Sequence, residues 1–121
     1  MAGEMVHVEF PAGDTARAKN FWSGLFGWQW QEFEGPQEYH MTRITDSSGA
    51  AIFPAEDRGP RTYFSVDDIN AATAKTKDLG GKADDAQPVP GMGWFAACED
   101  TEGNKFGFWQ TDPSAPTPAG A

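Results

Sequence analysis

Basic residues are scarce in this sequence. Nine Lys and Arg stand against eighteen Asp and Glu, a formal net charge of −9 at pH 7. Nucleic-acid binders neutralise phosphates with clustered Lys and Arg, so this balance argues against a nucleic-acid partner. Cysteine is nearly absent. With Cys98 alone, no internal disulfide can form and nothing requires an oxidising compartment. Cys98 has no His or second Cys near it in sequence and reads as a small buried hydrophobe. Long apolar runs are missing too, and none approaches the roughly 18 residues of a membrane-spanning helix. The opening "MAGEMVHVEF" has no basic segment leading into an apolar one. The expectation is a cytoplasmic protein with no membrane partner.

What the chain does have is aromatic bulk and an internal repeat. Of its 121 residues 39% are hydrophobic and 13% aromatic, with five Trp and nine Phe, a globular composition. "VEFPAGDTARAKNFWSGLFG", from Val8, resembles "YFSVDDINAATAKTKDLGG", from Tyr63. Aligning Asp14 with Asp68 sets a shift of 54 (68 − 14 = 54), which also places Phe10 on Phe64, Leu25 on Leu79 and Gly27 on Gly81. The same shift brings "DSSG" (Asp46 to Gly49) onto "DTEG" (Asp100 to Gly103), and Ile52 onto Phe106.

Each half reads alike. An alternating strand (Val6 to Phe10; Thr62 to Val66) meets a polar helix start at Asp14-Thr15 or Asp67-Asp68. The helices carry apolar residues at helical spacing: Ala18, Phe21, Trp22 and Leu25, then Ile69, Ala72, the aliphatic stem of Lys75, and Leu79. Glycine stops them at Gly27 and at Gly80-Gly81, where a left-handed cap suits a residue without Cβ. Three strands follow in each half: Trp28 to Phe33, Tyr39 to Thr45 and Ala50 to Phe53; then Lys82 to Gln87, Trp94 to Glu99 and Lys105 to Gln110. The fold class is α+β, two βαβββ modules at about 5–53 and 59–107 within a domain spanning 1–110. The Pro/Ala-rich residues 111–121 read as a disordered tail.

"HVEFPAGDTARAKNFWSGLFGW", "YFSVDDINAATAKTKDLGGK" and "DTEGNKFGFWQ" resemble the vicinal oxygen chelate superfamily of glyoxalases, bleomycin-resistance proteins and extradiol dioxygenases. The resemblance implies a curved mixed sheet wrapped around a cavity, with helices on the outer face, and a homodimer. It also implies a divalent-metal site fed by the first and last strands of each module. Those positions are His7, Phe53, Arg61 and Gly107. Only His7 is a competent ligand, because Arg keeps its proton and Phe and Gly offer no donor atom. No metal and no cofactor are therefore expected, and catalysis of the metal-dependent kind is disfavoured.

Alternation turns Val8, Phe10, Phe64, Val66, Phe106 and Phe108 toward the helices. It turns His7, Glu9, Arg61, Tyr63, Ser65, Gly107 and Trp109 toward the cavity, with Phe53 joining them. Gly107 would open room where the family places a carboxylate. Alternation leaves the faces of Trp28, Trp30, Tyr39, Trp94 and Phe95 open. Glu9 opposite Arg61 forms either an ion pair or a ligand contact. The candidate ligand-binding residues are His7, Glu9, Phe53, Arg61, Tyr63, Trp94 and Trp109, since flat rings suit stacking. The loop "PVPGMGWF" (Pro88 to Phe95) is expected at a cavity mouth.

The leading functional expectation is a metal-free small-molecule binding protein of the bleomycin-resistance kind, sequestering an aromatic or cationic compound such as an antibiotic. A lyase, isomerase or dioxygenase of the glyoxalase type is the alternative. A structural or regulatory dimer with a vestigial cavity is the third. A dimer is expected because the open sheets leave aromatic surface for a partner to cover.

Overall fold

The computed structural model describes residues 2–33, 37–57 and 59–117. The chain divides into two compact units, His7–Arg61 and Thr62–Ala121 with Met1–Val6. The N-terminal residues thus belong with the second unit, where the Gly3 N–H donates to the Ser65 carbonyl at 2.8 Å. Among the described residues no helix is long and apolar enough to cross a membrane.

The first unit carries β1 (Glu4–Ala12, from His7 onward), α1 (Thr15–Phe26), β2 (Gln31–Glu32), β3 (His40–Thr45) and β4 (Ser48–Pro54). Its strands lie in the order β2-β3-β4-β1, with β1 parallel to β4 and the other pairs antiparallel. The second unit carries β5 (Arg61–Ser65), α2 (Ile69–Asp78), β6 (Lys82–Ala83), β7 (Gln87–Val89), β8 (Gly93–Glu99) and β9 (Lys105–Thr111). Here the order is β5-β9-β8-β6, β5 is parallel to β9, and β7 pairs with β8. Both units follow one plan, in which the first strand lies beside the last. The α+β class and the repeat hold.

The helix ends form where their chemistry predicts. Asp14 and Asp68 sit in extended backbone and accept from the N–H groups of Arg17 and Ala71, each at 3.0 Å. Gly27 closes α1 at φ 72°, its N–H donating to Ser23 O at 2.8 Å. Gly80 (φ 96°) closes α2, and the Gly81 N–H returns to Thr76 O at 2.9 Å.

Four sequence expectations are corrected. Of residues 28–33 only Gln31–Glu32 pairs as a strand. Trp28 and Trp30 are drawn to the helix instead. Ser23 Oγ donates to the Trp28 carbonyl at 2.8 Å and accepts from Trp30 Nε1 at 2.9 Å, while Trp22 and Trp28 stack at 5.4 Å. The strand expected over 82–87 stops at Ala83, and part of the supposed mouth loop is β7. The shift of 54 fails at the last strands, because Val8 pairs with Ala50 but Thr62 pairs with Phe106. The β8–β9 connection is longer than the tight β3–β4 turn, so the register slips by two (106 − 54 = 52 against 50). An even slip keeps every side chain on its face. Finally, residues 111–117 are built into the fold. Thr111 belongs to β9, and Ala115 is buried and accepts from the Gly91 N–H at 3.0 Å. The tail beyond, 118–121, lies outside the described residues.

Candidate functional site

In the first unit, alternation on β1 sends Phe10 one way and His7 with Glu9 the other. Phe10 stacks on Trp22 of α1 at 4.9 Å, which fixes the helix face. On the opposite face His7 Nε2 lies 2.8 Å from the Tyr39 hydroxyl, and that hydroxyl donates to Glu9 Oε2 at 2.7 Å. A phenol has one proton. It goes to Glu9, so the bond to His7 requires the imidazole to carry its proton on Nε2 and donate. Burial pushes the His7 pKa down from 6.5 to about 4, which keeps the ring neutral at pH 7.

Aromatic contacts extend this chain. Tyr39 meets Phe53 at 6.5 Å and Phe33 edge-on at 6.3 Å. The Arg61 guanidinium lies 5.1 Å from the centre of the Phe53 ring and pairs with the Asp57 carboxylate. Four predicted residues, His7, Glu9, Phe53 and Arg61, are thus linked through Tyr39, whose face alternation alone does not assign. Glu9 takes its bond from Tyr39, and the acid held against Arg61 is Asp57.

In the second unit Tyr63 and Gly107 are register partners. The Tyr63 ring lies directly over Gly107, and a Cβ built there would come within 2.3 Å of it. Gly107 therefore opens no room; a ring already fills the direction in which the family's carboxylate would point. Trp109 shares this face. Its ring covers Gly93, where a Cβ would approach within 2.7 Å, and Nε1 donates to Thr111 Oγ1 at 3.1 Å.

Trp94 does not share that face. Its register partner is Gln110, whose Oε1 accepts from the Ile69 N–H at the start of α2 at 2.8 Å. Trp94 packs on the cluster of Ile69, Ala96 and Cys98 and donates to Asp112 Oδ2 at 3.0 Å. It is a core residue. Cys98, with its thiol pushed up to about 11 mainly by burial, is an inert one.

Sequence reasoning missed a second polar cluster, on the α1 side of the first sheet. His40 is buried, bonded through Nε2 to Glu38 at 2.6 Å, with Lys19 Nζ at 3.4 Å and Glu32 at 3.6 Å from Nδ1. Thr15 also donates to Glu38. These groups line an open cleft of ≈560 Å³. The available signal was alternation: once Tyr39 faces His7, His40 must face α1.

The residues do not fit a divalent ion. The Nε2 of His7 is engaged by Tyr39, the register places donorless Ala51 beside Glu9, and Arg61 and Gly107 offer no ligand atom. Among the described residues no group of three or more His, Cys, Asp or Glu is placed to hold a metal.

Known proteins agree with this architecture. A "Glyoxylase-like domain-containing protein" of Didymella fabae is 31% identical over 84% of this chain and 89% of its own. "Putative glyoxylase CFP32" of Mycobacterium bovis is 28% identical over 87% of this chain but 44% of its own length, so the chain spans under half of that relative. Among solved structures, a Streptomyces coelicolor methylmalonyl-CoA epimerase variant in complex with 2-nitronate-propionyl-CoA matches with a TM-score of 0.74 at 14% identity, covering 97% of this chain and 100% of the other. Homoprotocatechuate 2,3-dioxygenase from B. fuscum matches with a TM-score of 0.72 at 17% identity, over 96% of this chain and 34% of the other. At such identities the structural matches show the fold alone. The family model for the Glyoxalase/Bleomycin resistance protein/Dioxygenase superfamily matches residues 4–108, and the chain belongs to that superfamily.

Proposed function

We propose that this chain is a metal-independent small-molecule binding protein of the glyoxalase/bleomycin-resistance type. Its ligand is a flat aromatic compound, of the kind found among antibiotics. The observation that carries the reading is the buried Tyr63 ring over Gly107, which fills the space of a metal-binding carboxylate with a group that cannot hold an ion. The first unit supports it with a face of Tyr39, Phe53 and Arg61 beside the Glu9 carboxylate. The second supports it with Trp109 beside Tyr63 on adjacent strands. Planar rings and guanidinium groups stack on flat ligands, and a carboxylate adds preference for a cationic or donor substituent.

The test is a thermal-shift and tryptophan-fluorescence screen of aromatic compounds, with and without a chelator. A ligand bound only by the folded state raises the melting temperature. The expected result is saturable binding that ignores chelator. Binding that disappears with chelator and returns with a divalent ion refutes the reading.

One observation favours a second reading, metal-independent proton transfer. The His7–Tyr39–Glu9 chain links a neutral imidazole, a phenol and a carboxylate on one face. Deuterium exchange into an α-acidic carbonyl compound, abolished by Tyr39→Phe, would establish it over simple binding.

A further inference from the structure

The second unit has an apolar core where the first has a polar cluster. Its buried Ile69, Ala96 and Cys98 pack together. The helix shift of 54 places Ile69 on Thr15 and Thr73 on Lys19. On the last strands the offset is 56 (106 − 50 = 56), and strand pairing carries it across to place Ala96 on His40 and Cys98 on Thr42. One module therefore folds with an apolar core where the other sets Thr15, Lys19 and the buried His40 and Thr42. Exchanging buried ionic groups for apolar ones of similar volume is often neutral or stabilising, so stability alone does not call for the cluster.

The hydrogen bonds of the cluster have a direction. Thr15 and Lys19 stand one turn apart on α1 and line one cleft. The Thr15 hydroxyl, and after it His40, hold the Glu38 carboxyl below the usual carboxylate range, so at neutral pH it only accepts. The proton between Glu38 and His40 Nε2, 2.6 Å apart, therefore sits on the imidazole. The neutral ring has one N–H, which leaves Nδ1 as an acceptor facing the Lys19 ammonium at 3.4 Å. Acid, base and amine thus stand in the order that activates a nucleophile: the acid fixes the base, and the base faces the proton to be removed. A base-to-nucleophile contact of this length is common before substrate binds. Glu32, 3.9 Å from Lys19 Nζ and 3.6 Å from His40 Nδ1, offsets the positive charge whichever nitrogen holds it.

We propose that Lys19 is an amine nucleophile that captures an aldehyde as an imine, with His40 as its proton shuttle and Glu38 as a positioning residue. His40 Nδ1 takes a proton from the Lys19 ammonium, and the amine lone pair forms the C–N bond as the carbonyl π pair moves to oxygen. A proton passes from nitrogen to that oxygen and makes it a hydroxyl. His40 returns its proton there, the C–O bond breaks, and water leaves with the bonding pair. The product is an iminium on Lys19, and nothing is oxidised or reduced. The open cleft of ≈560 Å³ has room for the aldehyde and lets the water out, and Phe33 and Tyr39 on its wall suit an aromatic substituent. The site lies on the α1 side of the first sheet and does not depend on the ligand-binding reading of the other face.

Reductive trapping tests this. The full chain is incubated at pH 7 with benzaldehyde and cyanoborohydride, and adducts are quantified by peptide mass mapping. Lys75, Lys77, Lys82 and Lys105 are exposed and serve as internal references for an ordinary amine. The Lys19 side chain is 25% exposed, so accessibility alone would make it the slower to react. The expected result is the reverse, with Lys19 labelled at least ~10-fold faster than the mean of the four, since a positioned base contributes roughly 10²- to 10⁴-fold. His40→Gln brings Lys19 down to the reference rate and leaves the other four unchanged. Glu38→Gln slows Lys19 alone, and Lys19→Arg removes the fast adduct. Labelling of Lys19 at or below the reference rate in the parent overturns the proposal, and so does fast labelling that survives His40→Gln. Should that variant fail to fold, the ranking of the five lysines in the parent decides by itself.

Discussion

Gly107→Ala is the sharpest probe of the second unit. The backbone at 107 is not in the left-handed region, so alanine meets no conformational strain there, and its effect is steric. A Cβ at 107 would lie 2.3 Å from Tyr63 Cε2 and 2.5 Å from Cδ2, about an ångström inside ordinary contact. Tyr63 is 8% exposed, and its ring has little free space to enter. Overpacking a filled site costs about 1–3 kcal/mol, and this overlap belongs near the upper end. Against it, alanine restricts the unfolded chain and returns about 0.4–1 kcal/mol. The net loss is about 2 kcal/mol. For 121 residues the unfolding entropy is about 0.25 kcal/mol/K, so Tm should fall by roughly 8 °C. Differential scanning calorimetry measures this, and Tyr63→Ala in the same background supplies the coupling. Combined with Gly107→Ala, the two losses should be non-additive, because the smaller side chain removes the overlap. An alanine at 107 that is neutral or stabilising would refute the reasoning. The space of the family carboxylate would then be available.

Three further outcomes are expected. The His7 pKa is depressed from 6.5 to about 4, so between those values the unfolded chain binds the extra proton and stability rises with pH, levelling off above 6.5. The gain is on the order of 3 kcal/mol, and denaturant midpoints against pH should lose most of that slope in His7→Gln; a parent curve flat over this window contradicts the buried neutral imidazole. Tyr39→Phe deprives both His7 and Glu9 of their bond, and urea unfolding should show a loss of about 1–3 kcal/mol. Trp109→Ala should weaken an aromatic ligand about 10- to 100-fold in a fluorescence titration while Trp94→Ala mainly lowers Tm, and the opposite pattern would reverse the two face assignments.

Much of this protein was legible along the chain because the signals are local. Asp14 and Asp68 cap their helices through bonds three residues long, and Gly27 and Gly80 stop them with a backbone conformation that glycine tolerates. The period of two on β1 and β9 sorted His7 and Glu9 from Phe10, and Trp109 from Phe108. The missing ligand atoms at Phe53, Arg61 and Gly107 were a matter of residue chemistry alone. Tertiary structure decided what depends on which surfaces meet. Trp28 and Trp30 have the composition of a strand, but Ser23 and the Trp22 ring compete for them and win. The face of Trp94 follows from its pairing with Gln110, and Tyr39 joins His7 to Glu9 across 32 and 30 residues of chain. Whether Gly107 meant space or contact turned on one ring from another strand. Local rules assign each residue a conformation and a face, whereas the occupant of a space is set by packing between residues distant in sequence.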